Sequence, residues 1–178
     1  MARIKNRLPS ASFPSRKKTP DQIPMWRCPD CKRQFANRNQ SHFCGNYELE
    51  SHFEGKSEAV AKLYNQFVDR VRHCGPVIIM PEKTRIAFQV RMSFAAVQIR
   101  NSRLVGHLVL AERNEQPCFW RIDSISRRNH VHHFRIEKTS DLDREFCNFI
   151  RKAYAVGQQK HLRLPRTGTM RSTPKRLG

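Results

Sequence analysis

Lys83-Thr84-Arg85-Ile86-Ala87-Phe88-Gln89-Val90-Arg91-Met92 is where the hydrophobic pattern takes a period of two. Thr84, Ile86, Phe88, Val90 and Met92 fall on one side. Lys83, Arg85, Ala87, Gln89 and Arg91 fall on the other, as in a strand with one face buried. Similar runs at 77–80, 94–99, 104–111, 118–124 and 131–137 are separated by Asn101-Ser102, 114–117 and 127–129. Connections this short favour antiparallel neighbours. Before the first run, Val60, Leu63, Tyr64, Phe67, Val68 and Val71 repeat at helical spacing. Ser57 is placed to cap that helix, Arg70, Arg72 and His73 to oppose its dipole, and Gly75-Pro76 to stop it. A second helix is predicted from Ser140, where Ser140 and Asp143 resemble a capping box. Leu142, Phe146, Phe149, Ile150 and Ala153 form its apolar face and Gly157 its end. The fold class is therefore α+β. The pattern predicts a curved antiparallel sheet of about five or six strands with two helices on its apolar face. Strand order is not readable from this pattern.

The full chain of 178 residues holds 34 Lys+Arg against 15 Asp+Glu, a formal charge of +19. Residues 1–30 carry seven basic and two acidic groups, and 158–178 carry six basic and none acidic. Both ends are rich in Pro, Ser, Thr and Arg without periodicity, so they are expected to be disordered basic arms. Such arms suit a polyanion such as nucleic acid, whose counterions they would displace, or they serve only as solubilising tails. No apolar run approaches the ~18 residues of a membrane span, and the first twenty residues lack the apolar core of a secretory signal. A cytoplasmic protein that does not enter membranes is the expectation.

Cys28-Pro-Asp-Cys31 is followed by Phe35 and then by His42-Phe-Cys44. A C-x2-C turn aims two thiolates at one centre, and tetrahedral zinc takes four Cys or His ligands. Cys28, Cys31, His42 and Cys44 lie close together in sequence and form the preferred set, with His52 as the alternative fourth ligand. Four protein ligands leave no open position, so the expected zinc is structural. Burial alone cannot fold so small a segment around Trp26, Phe35 and Phe43; ion binding on the order of 10 kcal/mol can. A redox reading would need βαβ surroundings, which are absent, and a structural disulfide conflicts with an intracellular setting.

Lys83, Arg85, Gln89 and Arg91 share one side of a strand, with Arg121 and Asp123 on another, so the sheet could hold a phosphate or carboxylate. The competing reading is the ordinary solvated face of an antiparallel sheet. His130 and His132 share a strand face and could transfer protons there, or serve only as hydrogen-bonding groups. Cys74, Cys118 and Cys147 are expected to be buried, inert thiols.

The runs Trp26–Cys31, Phe35–His42 with Cys44, Pro81–Phe88, Phe94–Val97, Asn129–Phe134 and Ala153–Gly157 together resemble the bacterial family of domains of unknown function numbered 5655. The likeness spans roughly residues 26–163. It implies a boundary near Gly55 and an intracellular bacterial setting, and it implies no activity. The expected organisation is a basic arm at 1–24, a zinc-knuckle-like segment at 25–54, an α+β domain at 55–157 and a basic tail at 158–178.

Two kinds of function follow. One is a non-catalytic zinc protein that associates with nucleic acid through its arms, with Trp26, Phe35 or Phe43 available for stacking. The other is a small-anion binder or enzyme using Lys83, Arg85 and Arg91 with His130 or His132. No glycine-rich phosphate loop, nucleophile elbow or acidic metal cluster supports catalysis, so the enzyme question stays open and leans towards no. A protein partner docking on the finger is a third possibility.

Overall fold

The computed structural model describes residues 24–162, apart from Ser41, Phe43 and Asn46. Of the expected arms at 1–24 and 158–178, residues 1–23 and 163–178 lie outside the described residues, as does Phe43 with its stacking role.

The chain opens with a small hairpin, β1 (Trp26–Arg27) and β2 (Gln34–Phe35), and a 3-10 turn at Glu50–Phe53. Helix α1 (Glu58–Arg72) follows. Six strands come next: β3 (Ile78–Pro81), β4 (Ile86–Gln89), β5 (Ser93–Ile99), β6 (Leu104–Leu110), β7 (Phe119–Ser126) and β8 (Asn129–Ile136). Helix α2 (Arg144–Gly157) and a 3-10 turn at Lys160–Leu162 close the described chain. The six strands form one open antiparallel sheet in the order β3-β4-β5-β6-β8-β7.

The order puts β8 inside and β7 at the edge, and burial explains it. His132, Phe134 and Ile136 of β8 are fully buried, whereas β7 buries only Phe119. A strand with three inward side chains gains more from a central position than one with a single inward residue. Both helices join one core with the sheet: Phe67 of α1 stacks on Phe134 at 5.8 Å, and Phe146 of α2 meets Phe134 edge-on at 5.0 Å. Met80, Ala87 and Ala96 form a second, small apolar cluster on the opposite face.

Ser57 caps α1 as expected, accepting from the Val60 amide at 3.3 Å. Gly75, at φ +135°, turns the chain where an added Cβ would meet the Tyr154 hydroxyl, which donates to the Pro76 carbonyl at 2.8 Å. Helix α2 starts later than predicted. Asp143, not Ser140, is its cap, accepting from the Phe146 amide at 2.7 Å. Asp141 is diverted to the Glu137 and Lys138 amides, which holds Thr139–Asp141 in a separate 3-10 turn. The strand expected over 83–92 shrinks to β4, because the register shifts at Phe88/Gln89 and the amides of Arg91 and Met92 both bond to the Gly157 carbonyl at 3.1 Å. Ordered backbone also continues past Gly157, with His161 buried.

Candidate metal centre

The β1–β2 hairpin shapes the metal segment. Trp26 pairs with Phe35 and Arg27 with Gln34. The Cys28 amide donates to the Arg33 carbonyl at 2.9 Å, and the Lys32 amide donates back to the Cys28 carbonyl at 3.1 Å. Lys32 takes a left-handed φ of 60°, which bends the chain tightly after Cys31. Phe35, 3% exposed, packs its ring 4.2 Å from that of His42, with Trp26 6.0 Å from Phe35. Phe35 is thus the core of this hairpin, which removes it as a base-stacking surface.

Around that ring the ligand atoms of Cys28, Cys31, His42 and Cys44 all lie within 4.8 Å of one another. The Sγ atoms of Cys28 and Cys44 are 3.8 Å apart. His42 Nε2 is 3.2 Å from Cys31 Sγ and 3.3 Å from Cys44 Sγ. A tetrahedral ion with bonds of about 2.3 Å to sulfur separates its thiolates by about 3.8 Å, so the quartet has the size a metal needs. His42 Nδ1 sits 2.6 Å from the Gln40 carbonyl. Donating there leaves Nε2 with a free lone pair directed at the thiols, the usual way a protein fixes the tautomer of a ligating histidine. No disulfide joins any of the six cysteines. His52 stands in the Glu50–Phe53 turn and is not a member of the quartet.

Mutual proximity already perturbs these groups. Desolvation alone would raise the Cys31 thiol; the Arg33 backbone and the His42, Cys28 and Cys44 side chains together bring it down to about 7. Displaced water, then the thiols of Cys28 and Cys31, push Cys44 up to about 11. The Gln40 carbonyl, against desolvation and helped by Cys31, raises His42 above its ordinary value. Cys31 poised to ionise beside Cys44, which resists, describes a cluster whose charge an ion would balance.

Residues 49–157, more than half of the chain, match the family described as domain of unknown function (DUF5655). The chain belongs to this family. The metal quartet lies ahead of the DUF5655 domain, which begins at the 3-10 turn before α1. No curated protein and no solved structure matches the chain.

The DUF5655 domain does not gather Lys83, Arg85, Arg91, His130 and His132 into one place. Lys83 is exposed in the turn before β4, and Arg85 pairs there with Glu82 at 2.6 Å. Arg91 lies beyond β4 and reaches Gln159 Oε1 at 3.2 Å. His132 is fully buried on the helix side, where Nε2 accepts from the Asn114 amide at 2.9 Å and Nδ1 lies 3.0 Å from the His130 carbonyl. His130 meets Ser124 Oγ at 2.9 Å. Gln89 is 2% exposed, so the face expected to be solvated is closed at that point. Cys118 is exposed rather than buried, because it precedes the edge strand.

The face away from the helices joins Arg121 and Asp123, named together from the sequence, to His133 and His107, which the pattern did not single out. His133 Nε2 pairs with Asp123 Oδ2 at 2.8 Å, and Arg121 Nε with Asp123 Oδ1 at 2.9 Å. Arg121 first and His133 second hold the Asp123 carboxyl below its ordinary range. The His107 ring is 5.9 Å from that of His133, while burial, then Arg85 and His133, lower His107 to about 4. The two-residue period of β8 places His133 opposite His132, which was the available signal. Its partners depended on strand order. Among the described residues, no helix is long and apolar enough to cross a membrane.

Proposed function

We propose that the protein is a cytoplasmic, bacterial, non-catalytic protein that holds one structural zinc ion and associates with nucleic acid. Three thiols and an imidazole form a soft donor set that favours zinc over hard cations, and four protein ligands fill the tetrahedron and leave no position for a reacting water. The observation that carries the nucleic-acid reading is where the charge collects. Arg27, Lys32 and Arg38 are exposed in the segment that carries the quartet, which follows the basic stretch of sequence with Arg16, Lys17 and Lys18, in a chain of net charge +19. A metal-ordered loop with fixed cations can track a phosphate backbone, and salt dependence is the signature of such contacts.

The test measures binding of the zinc-loaded full chain to mixed-sequence single-stranded DNA and RNA over a range of salt. Affinity is expected to fall steeply. Replacing Arg27, Lys32 and Arg38 by alanine should flatten the log–log salt slope by about 2, from a per-contact slope of ~0.7 on single strands. Absent or salt-insensitive binding overturns the nucleic-acid reading, and elemental analysis without stoichiometric zinc overturns the metal reading.

A further inference from the structure

At the end of the sheet distant in sequence from the metal segment, a cavity of about 340 Å³ opens between the end of β6, the loop after it, the last turns of α2 and the 3-10 turn at Lys160–Leu162. Its volume falls within the range of ~300–1,000 Å³ common to small-molecule sites. Leu110, Ala155 and Val156 supply apolar wall, and Lys152 and Lys160 stand exposed at its edge. His161 also lines it, is only 8% exposed, and has no hydrogen-bond partner at either ring nitrogen among the described residues.

That imidazole is the anomaly. Burial first, and Arg128 second, lower its pKa, so near neutral pH the ring is uncharged and offers one donor and one acceptor. A buried polar atom left unmet among its neighbours is unfavourable, and His161 has two such atoms among the described residues. His132, by contrast, is buried deeper and has partners at both nitrogens. An apolar wall, an unmatched imidazole and two lysines describe a complement: an apolar body, a head that exchanges hydrogen bonds, and a negative charge. Glu112 at the rim disfavours a second anionic group on the ligand.

We propose that this cavity is a binding site for a small amphipathic carboxylate, with His161 meeting the head group and Lys152 and Lys160 neutralising its charge. The site is independent of the metal quartet and of any nucleic-acid contact.

The experiment titrates the zinc-loaded full chain with 1-naphthoate and, separately, with the neutral 1-naphthamide, following the His161 ring nitrogens by long-range proton–nitrogen NMR. A site-specific readout is needed because a chain this basic attracts carboxylates elsewhere. The naphthoate should shift the His161 nitrogens saturably with a Kd below about 1 mM. The amide should bind about tenfold more weakly. The double variant Lys152→Gln, Lys160→Gln, altered only at exposed positions, should lose about tenfold in naphthoate affinity while keeping the His161 signals folded and dispersed. His161 nitrogens that stay unmoved up to ~10 mM naphthoate, or equal affinity for amide and acid, overturn the proposal.

Discussion

Gln89 donates its side-chain amide to the backbone carbonyl of Gln34 at 2.6 Å, across 55 positions of sequence. This bond joins the metal hairpin to the second strand of the main sheet. Gln89 is 2% exposed, so the bond is sheltered from water, and the pair acts as a clasp between the two parts.

Replacing Gln89 by alanine removes the donor and leaves the Gln34 carbonyl unmet. We expect a loss on the order of 2 kcal/mol in urea unfolding, as for other buried hydrogen bonds. Amide exchange in the hairpin should speed up while α1 and α2 keep their protection. Unchanged hairpin exchange in Gln89→Ala would show that the clasp does not couple the two parts.

Metal removal should act locally. The quartet lies outside the core that unites both helices with the six-stranded sheet. Cys31→Ser, or chelation of the parent, should therefore abolish stoichiometric metal and disorder residues around β1 and β2, while far-ultraviolet dichroism of the helices changes little. Binding requires thiolates and a neutral His42, whose pKa is raised, so affinity should fall with each unit of acidification and protons should be released on loading. Calorimetry in buffers of different ionisation enthalpy counts those protons. Zero release would contradict thiolate ligation.

Acid stability has a definite sign. His107 is held at about 4 against an ordinary 6.5, so below pH 6.5 the unfolded chain takes a proton that the folded chain refuses. Its contribution is intact above 6.5 and is lost progressively as the pH falls to about 4, a total of roughly 3 kcal/mol. Asp123 acts in the same direction only lower, below its ordinary 3.8. His107→Gln should have a flatter dependence of the urea midpoint on pH between 7 and 5 than the parent. Parallel profiles would exclude His107 as the cause.

Two glycines are fixed by close approach. A Cβ on Gly106 would stand 2.4 Å from the Ala96 carbonyl oxygen, a backbone atom that cannot swing aside. On Gly157 it would stand 2.7 Å from the Phe94 ring, a side chain with some room to rotate. Gly106→Ala should cost about 3 kcal/mol or more and Gly157→Ala about 1–2 kcal/mol. Thermal melts of both variants give the order, and a reversal would show that the sheet yields more readily than the Phe94 ring.

Much of the fold was legible because its signals are local. The apolar stripe from Val60 to Val71, the apolar run of β5 and the alternation of β6 and β8 reproduce the elements seen. The extended reading of 83–92 failed where a long-range contact took over: two amides of that stretch bond to Gly157, at the far end of α2. The start of α2 slipped for a related reason, since Ser140 and Asp143 read as the two ends of a capping box, and only the bond from the Phe146 amide shows that Asp143 is itself the cap.

Cys28, Cys31, His42 and Cys44 fall within so short a stretch that a compact turn can bring their donors together, so the sequence alone put this quartet forward, with His52 still open as a ligand, and located both helices and most strands. Which strand lies beside which was decided by competition among buried faces far apart in the chain. That competition set His132 in the core, joined His133 to Asp123, closed Gln89 beneath the hairpin and left His161 lining a cavity. His133 reaches Asp123 through strand pairing, and Gln89 and His161 find their surroundings only when the hairpin and the end of α2 pack against the sheet, so none of these contacts is set by spacing along the chain.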